Sequence, residues 1–325
     1  MIIYGMGDGA EKIIAYLNSK GINVSGIFAS EGFVRGQSFS GMKVISLEEI
    51  KEEFSDFIII TAFALEGEKS RIFYDLSEKY PLFSPNFPPY GEGCIDKDWC
   101  GQNRDRIKET RALFCDEVSR DIFDSLIEYN ITADISCLIS DNTPPEGWIV
   151  NNAVHIDIGA YNGDSVSEYV KANPDYRELY AFEPNRKTFV KLIKNTSAFR
   201  NVECINSAVG ETDGVVPFVN KKGRGSSISK EGRPVSCVSL DSCFKDKSIS
   251  SIKIDGEGAE REILKGAVNI IDRDKPSVCV AAYHKAFDLF DIPLWLKNQN
   301  PSYSFYLRRK EYIPAFDVFI YALKK

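Results

Sequence analysis

Acidic residues stand at the ends of several apolar runs, where the strands of an α/β sheet would stop. Asp157 ends a run that begins at Val154, Glu183 follows another, and Asp255 and Glu257 follow a third. The carboxyl ends of parallel strands meet at one edge of a sheet, and open α/β folds bind their ligands there. We therefore expect these carboxylates to surround one ligand site.

The turn after Asp157 favours one kind of ligand. Its Asp157-x-Gly159-x-x-x-Gly163 pattern lacks the G-x-G-x-x-G spacing that brings a helix N-terminus onto a pyrophosphate. S-adenosylmethionine has no phosphate, and its sulfonium and amino-acid ends suit an acidic turn lined by backbone. Glu183, about 20 residues further on, could accept hydrogen bonds from both ribose hydroxyls. The alternative is a glycine-rich turn that serves geometry alone.

A base is expected near these carboxylates if the acceptor is a hydroxyl group, which must lose a proton. His284 is the first candidate because it follows the apolar run Val278–Ala282, and Asp255 is the rival base. A structural role for His284 stays open, and His155 is predicted to be a core residue. Asp255 and Glu257 could hold magnesium, but the alternative is that they only shape the turn, and we predict no metal ligand.

Strands and helices alternate in two blocks, which implies parallel sheets covered by helices. In the first block, strands are expected near 2–4, 23–28 and 57–62, with helices to about 20, after 46 and over 66–80. Prolines and glycines then mark a linker, followed by one long helix over Arg104–Tyr129. In the second block, strands near 153–158, 178–182, 202–209, 251–255 and 277–283 alternate with helices near 164–172, 185–195, 259–271 and 288–298.

The chain ends in two more apolar runs, Tyr303–Leu307 and Asp317–Ala322, which suit an antiparallel hairpin at the sheet edge. Arg308 and Arg309 are predicted to lie at a solvated strand end, and contact with an anionic acceptor is the alternative. The predicted domains are a Rossmann-like domain over 1–90, a linker with a helical connector over 91–150, and a second α/β domain over 151–325 that carries the acidic strand ends.

The segment Lys253–Ala267, together with Asp157–Ser165 and Glu183-Pro184, resembles the FkbM-type methyltransferase family. The resemblance runs from about residue 110 to the end and includes Gly225-Ser226-Ser227 and Tyr283-His284-Lys285. It implies a seven-stranded class I methyltransferase fold and O-methylation, with S-adenosylmethionine, of a sugar, glycan or secondary metabolite. The predicted catalytic residues are His284, Asp255 and Glu257. The predicted cofactor-binding residues are Asp157, Gly159, Ala160, Asn162, Gly163, Glu183, Pro184 and Asp255.

The first block opens with a relaxed dinucleotide pattern, Gly5-x-Gly7-x-x-Ala10, after a short strand. The acidic residue expected at the end of the second strand is absent, since Glu31 comes only later. Three interpretations stay open: a dinucleotide site, a sugar-nucleotide or acceptor-recognition module, and a fold kept for packing or dimerisation. We favour the last two. The rival function is an NAD- or nucleotide-sugar-binding protein with a non-catalytic second half.

Composition narrows the classes of protein further. The 325 residues carry a net charge of −7, which gives no basic footprint for nucleic acid. No apolar run approaches the roughly 20 residues that span a bilayer, and the N-terminus lacks a signal-peptide pattern, so a cytoplasmic location is expected. The eight cysteines form no C-x-x-C pair, so reduced thiols are expected rather than zinc. The expected partner is a small-molecule or glycan acceptor, and a homodimer is an open possibility.

Overall fold

Two largely parallel sheets contain most strands of the chain. The computed structural model describes residues 1–90, 93–219, 227–228 and 232–324; Gly225 and Ser226, part of the family resemblance, lie outside the described residues. The first block of the chain forms the front sheet with its helices. In chain order, these elements are β1 (Ile2–Tyr4), α1 (Asp8–Ser19), β2 (Gly26–Phe28), β3 (Ser38–Phe39), β4 (Met42–Ile45), α2 (Leu47–Glu53), β5 (Ile59–Thr61), β6 (Leu65–Glu66), α3 (Arg71–Ser77) and β7 (Leu82–Phe83).

The front sheet has the strand order β3-β4-β2-β1-β5-β7, with β3 and β4 antiparallel and the other neighbours parallel. The predicted start of α2 is confirmed. The Ser46 hydroxyl accepts a hydrogen bond from the Glu49 N–H at 3.1 Å, and the Glu49 carboxylate accepts one from the Ser46 N–H at 2.8 Å. This reciprocal pair satisfies two N–H groups that a helix start leaves unpaired.

The connector contains three helices, and the prediction of one helix over Arg104–Tyr129 is wrong. The helix is interrupted because the Cys115 N–H donates to the carbonyl of Phe305 at 2.9 Å. A new helix then begins at Asp116, whose carboxylate accepts a hydrogen bond from the Ser119 N–H at 2.9 Å. The helices are α4 (Lys97–Gln102), α5 (Arg104–Leu113) and α6 (Glu117–Thr132).

The second block forms a seven-stranded sheet, here called the main sheet, and a smaller four-stranded sheet. Its strands are β8 (Val154–Ile158), β9 (Glu178–Phe182), β10 (Val202–Ile205), β11 (Ala208–Val209), β12 (Gly214–Val219), β13 (Ser227–Ile228), β14 (Arg233–Val238), β15 (Ser251–Ile254), β16 (Ser277–Ala281), β17 (Tyr303–Arg309), β18 (Tyr312–Ile313) and β19 (Val318–Lys324). Its helices are α7 (Asp164–Ala172), α8 (Arg186–Thr196), α9 (Leu240–Cys243), α10 (Glu260–Lys265), α11 (Val268–Asp274) and α12 (Asp288–Gln299).

The main sheet has the order β10-β9-β8-β15-β16-β19-β17. The first five strands are parallel, and β19 and β17 form the predicted antiparallel hairpin, with β19 inserted next to β16. The seven strands and their pairing confirm the predicted fold class. Among the residues described, none of the helices combines the length and the apolar character that crossing a membrane requires.

Two predicted elements of this block are divided in the structure. The strand expected over 202–209 splits, and β11 pairs with β14 in the four-stranded sheet, which was not predicted. The helix expected over 259–271 breaks at Gly266, because the carbonyl of Gly266 accepts a hydrogen bond from the Asp241 N–H at 2.9 Å instead of continuing the helix. The carboxylate of Asp241 then accepts hydrogen bonds from the N–H groups of Asn269 and Ile270, which starts α11.

The front sheet and the main sheet are joined by a short ribbon. In this ribbon β6 pairs antiparallel with β18. Beside it, the Ser70 hydroxyl donates to the Glu311 carboxylate at 2.8 Å. One cluster of buried apolar side chains also extends from Ile2 in the front sheet through Phe123 of α6 to Ile156 in the main sheet. The two sheets therefore share packing as well as backbone pairing.

Arg308 and Arg309 are buried, so both interpretations offered for them are wrong. The Arg308 guanidinium donates to the Asp116 carboxylate at 2.7 Å and to the Ser119 hydroxyl at 2.9 Å. Arg309, which is 1% exposed, donates to the carbonyl of Ile139 at 3.2 Å. Both cations brace β17 against the connector, and their aliphatic stems fill space that a solvated strand end would leave open.

Gly159 makes the sharp turn after β8 possible. It adopts a φ of +75°, and a Cβ at this position would lie 1.9 Å from the carbonyl oxygen of Asp255. Glycine avoids both the left-handed strain and the backbone clash. This turn sets how closely β8 approaches the end of β15, and thus where the residues after both strands lie.

Replacing Gly159 by alanine is expected to destabilise the fold by roughly 3 kcal/mol or more, because strain and a backbone clash combine. Urea denaturation followed by circular dichroism measures the change. Gly101→Ala in α4 is the matched control, since no atom lies within 4 Å of its added Cβ. Wild-type stability in Gly159→Ala would contradict the close approach of the two strand ends.

Candidate active site

A cavity of about 340 Å³, here called the main cavity, opens at the carboxyl ends of β8, β9 and β15. Gly159, Glu183, Pro184, Asp255 and Glu257 line it. The structure thus places these residues, which the sequence assigns to three separate strand ends, around one space. The apolar part of the wall includes Phe182, Val209, Phe218, Ile263 and Phe319.

Four residues predicted to bind the cofactor lie at the end of β8 or in the turn after it and do not line the main cavity. The turn winds directly into α7, which buries two of these side chains completely. Tyr161 of the turn and Ser165 of α7 line the main cavity in their place. The four are absent from the wall of the main cavity, and their contact with the cofactor stays a prediction. They are Asp157, Ala160, Asn162 and Gly163.

Lys253 lies between two carboxylates at the base of the site. Its Nζ atom is 3.3 Å from Asp157 Oδ1 and 3.8 Å from Asp255 Oδ2. Burial lowers the pKa of Lys253, but the charges of Asp157 and Asp255 outweigh this effect and raise it. Burial also raises the pKa of Asp157, while Lys253 and the Ser165 hydroxyl, 2.6 Å from Asp157 Oδ2, oppose that rise. The lysine cation is what permits a carboxylate to lie at this depth.

Glu183 is a buried carboxylate that the protein compensates only in part. It is 6% exposed, and its Oε1 atom accepts a hydrogen bond from the Asn185 N–H at 2.7 Å. Burial raises the pKa of Glu183 to about 7, although the N–H groups of Asn185 and Tyr161 oppose the shift. A ligand that donates hydrogen bonds would stabilise this carboxylate, since buried charge without partners is unfavourable.

His284 is enclosed by carboxylates at both ring nitrogens. Its Nδ1 atom lies 2.8 Å from Glu260 Oε1, while Nε2 lies 3.4 Å from Glu257 Oε2 and 3.7 Å from Asp255 Oδ1. Burial lowers the pKa of His284, but the charge of Glu260 and the hydrogen bonds to Glu257 and Glu260 raise it well above its ordinary value. The surroundings of His284 therefore favour its imidazolium form.

This charge state bears on which residue takes a proton. An imidazolium has no free lone pair, so the base role of His284 stays a prediction that its surroundings do not favour. Glu257 and Asp255 line the main cavity directly, whereas His284 does not. Burial raises the pKa of Glu257, with His284 opposing the shift. A carboxylate with a raised pKa is a stronger base than an ordinary one.

Tyr90 of the linker completes this cluster. Its hydroxyl donates to Glu257 Oε2 at 3.0 Å, and its N–H donates to the carbonyl of His284 at 3.0 Å. The ring packs so closely over Gly258 that a Cβ there would lie 3.0 Å from it. Glu257 itself adopts a φ of +52°, a conformation that costs energy for a residue with a side chain. The contact with Tyr90 helps to hold it there.

Asp255, Glu260 and His284 form a group whose ligand atoms lie within 4.8 Å of one another, the arrangement that can hold a metal ion. Glu260 and Asp255 meet opposite nitrogens of the imidazole, however, and one ion can bind only one of those nitrogens. Glu260 Oε1 also accepts hydrogen bonds from the N–H groups of Gly256 at 2.9 Å and Gly258 at 3.3 Å. This arrangement suits hydrogen bonds between His284 and the carboxylates at its two nitrogens better than it suits a metal ion.

The sequence analysis missed Lys253, Glu260 and Tyr90. Glu260 lies inside the motif that carries the family resemblance. Its position in the sequence, five residues after Asp255, does not indicate that its carboxylate contacts His284. Lys253 stands two positions before Asp255, so strand alternation places both on one face, a signal that was available. Tyr90 lies in a proline-rich linker, and no local pattern connects it with residues near 257.

Two family models match the chain. Residues 157–303 match the methyltransferase FkbM domain, and residues 1–78 match the C2185-like, N-terminal family. The first match confirms the family resemblance, over a shorter range than the sequence suggested. Among curated proteins, none matches this chain.

Solved structures give a matching fold. Methyltransferase FkbM from Methylobacillus flagellatus KT is 18% identical and has a TM-score of 0.74, covering 99% of this chain and 89% of that one. At such low identity, the similarity shows the fold alone. Two other structures are less similar. An rRNA methylase from Streptococcus thermophilus is 14% identical, with a TM-score of 0.38, and the match covers 55% of this chain and 89% of that one. A precorrin-6y C5,15-methyltransferase from Geobacter metallireducens GS-15 is 14% identical, with a TM-score of 0.37, and the match covers 59% of this chain and 96% of that one.

Glu260→Gln is expected to lower the pKa of His284, because it removes the charge at Nδ1 and keeps the shape of the side chain. NMR titration of protein labelled at histidine measures this. The chain has two histidines, and burial lowers the pKa of His155 to about 3, so His155 stays neutral and serves as the internal reference.

The sign of the linked stability follows from the direction of the shift. Because the folded pKa of His284 is raised, its ion pairs stabilise the fold below the ordinary histidine pKa. That stabilisation is lost as the pH rises through the folded pKa. Titration of His284 near its ordinary value in the unsubstituted protein would contradict the charge assignment.

Proposed function

We propose that this chain, whose residues 157–303 form a methyltransferase FkbM domain, transfers a methyl group from S-adenosylmethionine to a hydroxyl group of a sugar, glycan or secondary metabolite. The main cavity carries this proposal, because buried Glu183 faces the same space as Asp255 and Glu257. The domain family supports methyl transfer, and the acidic wall supports the cofactor and the base.

The groups that line the main cavity suit S-adenosylmethionine better than a dinucleotide. Glu183 is an acceptor that a ribose diol would satisfy, and Asp255 and Glu257 favour a cationic sulfonium nearby. Lys253, the buried cation, is already engaged by Asp157 and Asp255. A pyrophosphate would meet carboxylates without compensating cations at this depth, which is unfavourable.

When bound, S-adenosylmethionine supplies a methyl group made electrophilic by the sulfonium. The protein's own task is to position the acceptor hydroxyl and to take its proton. Glu257 and Asp255 are the groups at the wall that can accept this proton. The His284 ring beside Glu257 opposes the rise in the pKa of Glu257 that burial causes, and Glu260 holds that ring in place.

The acceptor class rests on the family resemblance together with charge. A net charge of −7 and an acidic cavity edge disfavour a nucleic-acid backbone. A hydroxyl on a neutral small molecule or glycan meets no such repulsion. The rival function, an NAD- or nucleotide-sugar-binding protein with a non-catalytic second half, is not favoured, because the methyltransferase domain keeps a cavity lined by several carboxylates.

Glu183→Gln is expected to weaken binding of S-adenosylmethionine and S-adenosylhomocysteine about tenfold or more, since hydrogen bonds to a charged group contribute about 1.5–3 kcal/mol. Calorimetric titration with both compounds, and with NAD in parallel, measures the change. Glu203→Gln removes an exposed carboxylate on the neighbouring strand β10 and should leave affinity unchanged. Binding of NAD alone would overturn the cofactor, and equal affinity in Glu183→Gln would overturn the ribose contact.

Binding of S-adenosylhomocysteine should also depend on pH through Glu183. The carboxylate form accepts the hydrogen bonds, and burial raises the pKa of free Glu183 to about 7. Affinity should therefore rise about tenfold from about pH 6 to about pH 8, as the proton no longer has to be displaced. Glu183→Gln should remove this dependence. A flat profile in the unsubstituted protein would contradict the role of Glu183.

A further inference from the structure

A second cavity of about 540 Å³, here called the front cavity, lies at the carboxyl end of β5 and the start of α1. Its wall also includes Tyr90 of the linker and Pro314 and Phe316, which precede β19. The front cavity thus lies between the front sheet and the main sheet. We propose that it binds an uncharged, hydroxylated ring of an extended acceptor, remote from the hydroxyl that is methylated; this inference rests on the proposed function.

The front cavity and the main cavity are separated by a thin wall of side chains. Tyr90 lines the front cavity, and its hydroxyl lies 3.0 Å from Glu257 Oε2 of the main cavity. Phe316 lines the front cavity, and its ring centroid lies 5.8 Å from that of Tyr283. The Tyr283 hydroxyl is in turn 3.5 Å from Asp255 Oδ1. Tyr90 and Phe316 thus bring the front cavity within one layer of side chains of Glu257 and Asp255.

The lining suits a ring with apolar faces and polar edges. Thr61 and Ser84 contribute hydroxyl groups, 2.7 Å apart, and Asp8 contributes a carboxylate. A saturated ring that carries hydroxyls packs its C–H faces on aromatic side chains and places its hydroxyls toward such polar groups. The aromatic side chains that line the front cavity are Phe63, Phe87, Tyr90 and Phe316.

The charges of the front cavity disfavour a phosphate-bearing ligand. Asp8 begins α1, so a carboxylate occupies the helix end that would otherwise attract an anion. Lys12, the cation in this wall, lies 3.2 Å from Asp8 Oδ2 and is thereby compensated. A pyrophosphate would find a carboxylate and a neutralised lysine here, whereas a neutral ring meets no repulsion.

Saturation-transfer NMR with an equimolar pool of neutral methyl pyranosides tests the proposal, and NAD serves as the phosphate-bearing probe. Ala64 lines the front cavity, so Ala64→Trp should fill it and reduce the pyranoside signal several-fold. Ala112→Trp, at an exposed position of α5, is the matched control and should keep the signal. Phe87→Ala removes one aromatic face and provides a second variant if Ala64→Trp does not fold.

The outcomes separate this inference from the proposed function. The absence of saturation transfer from every pyranoside, or an equal signal in Ala64→Trp, Phe87→Ala and the control, would overturn the front-cavity site. NAD binding that is lost in Ala64→Trp would overturn it in favour of a nucleotide. Titration of the same samples with S-adenosylhomocysteine reports on the main cavity alone. Failure there would reject the methyltransferase assignment, while the pyranoside result still decides on the front cavity.

Discussion

The burial of carboxylates at one edge of the main sheet is the constraint that governs the rest of the site. Asp157 and Glu260 are almost fully buried, and each depends on one cation: Lys253 for the first and His284 for the second. Removing a cation from such a pair would leave an uncompensated charge at low dielectric. Glu183 has no cation of its own among the contacts described, which leaves a negative excess. A cationic cofactor that donates hydrogen bonds would correct that excess.

The sequence predicts the parts of this site that follow strands directly. An acidic residue after an apolar run marks a strand end, so Asp255 and Glu183 could be placed at one edge without coordinates. Contacts between segments that are far apart in the chain have no such local sequence pattern. Tyr90 meets Glu257 across 167 positions of the chain, and no periodicity links them. Arg308 and Arg309 are misread for the same reason, because a charged pair looks solvated until its partners in the connector are known.

The predicted ends of helices and strands are wrong where tertiary contacts interrupt a continuous apolar pattern in the sequence. Apolar residues recur at helical spacing across Cys115, yet the bond from Cys115 to Phe305 of the main sheet breaks the helix. The break at Gly266 likewise follows from a tertiary contact, the hydrogen bond from the Asp241 N–H to the Gly266 carbonyl. Asp116, which caps α6, is a signal visible in the sequence, whereas Asp241 reaches the start of α11 from 28 positions away and gives no such signal. The five parallel strands of the main sheet survive these errors because each coincides with a predicted apolar run, although the run over 202–209 is divided between two sheets.

The strained backbone at Glu257 connects the two sheets to the chemistry. A φ of +52° is unfavourable for glutamate, and such strain persists only where surrounding contacts fix the residue. Here the contacts come from both halves of the molecule: His284 follows a strand of the main sheet, and Tyr90 belongs to the linker that leaves the front sheet. A front sheet that only packed against the main sheet would not require a linker contact with a carboxylate that lines the main cavity. The geometry instead makes the linker part of the site, so that the position of Glu257 depends on how the two sheets are joined.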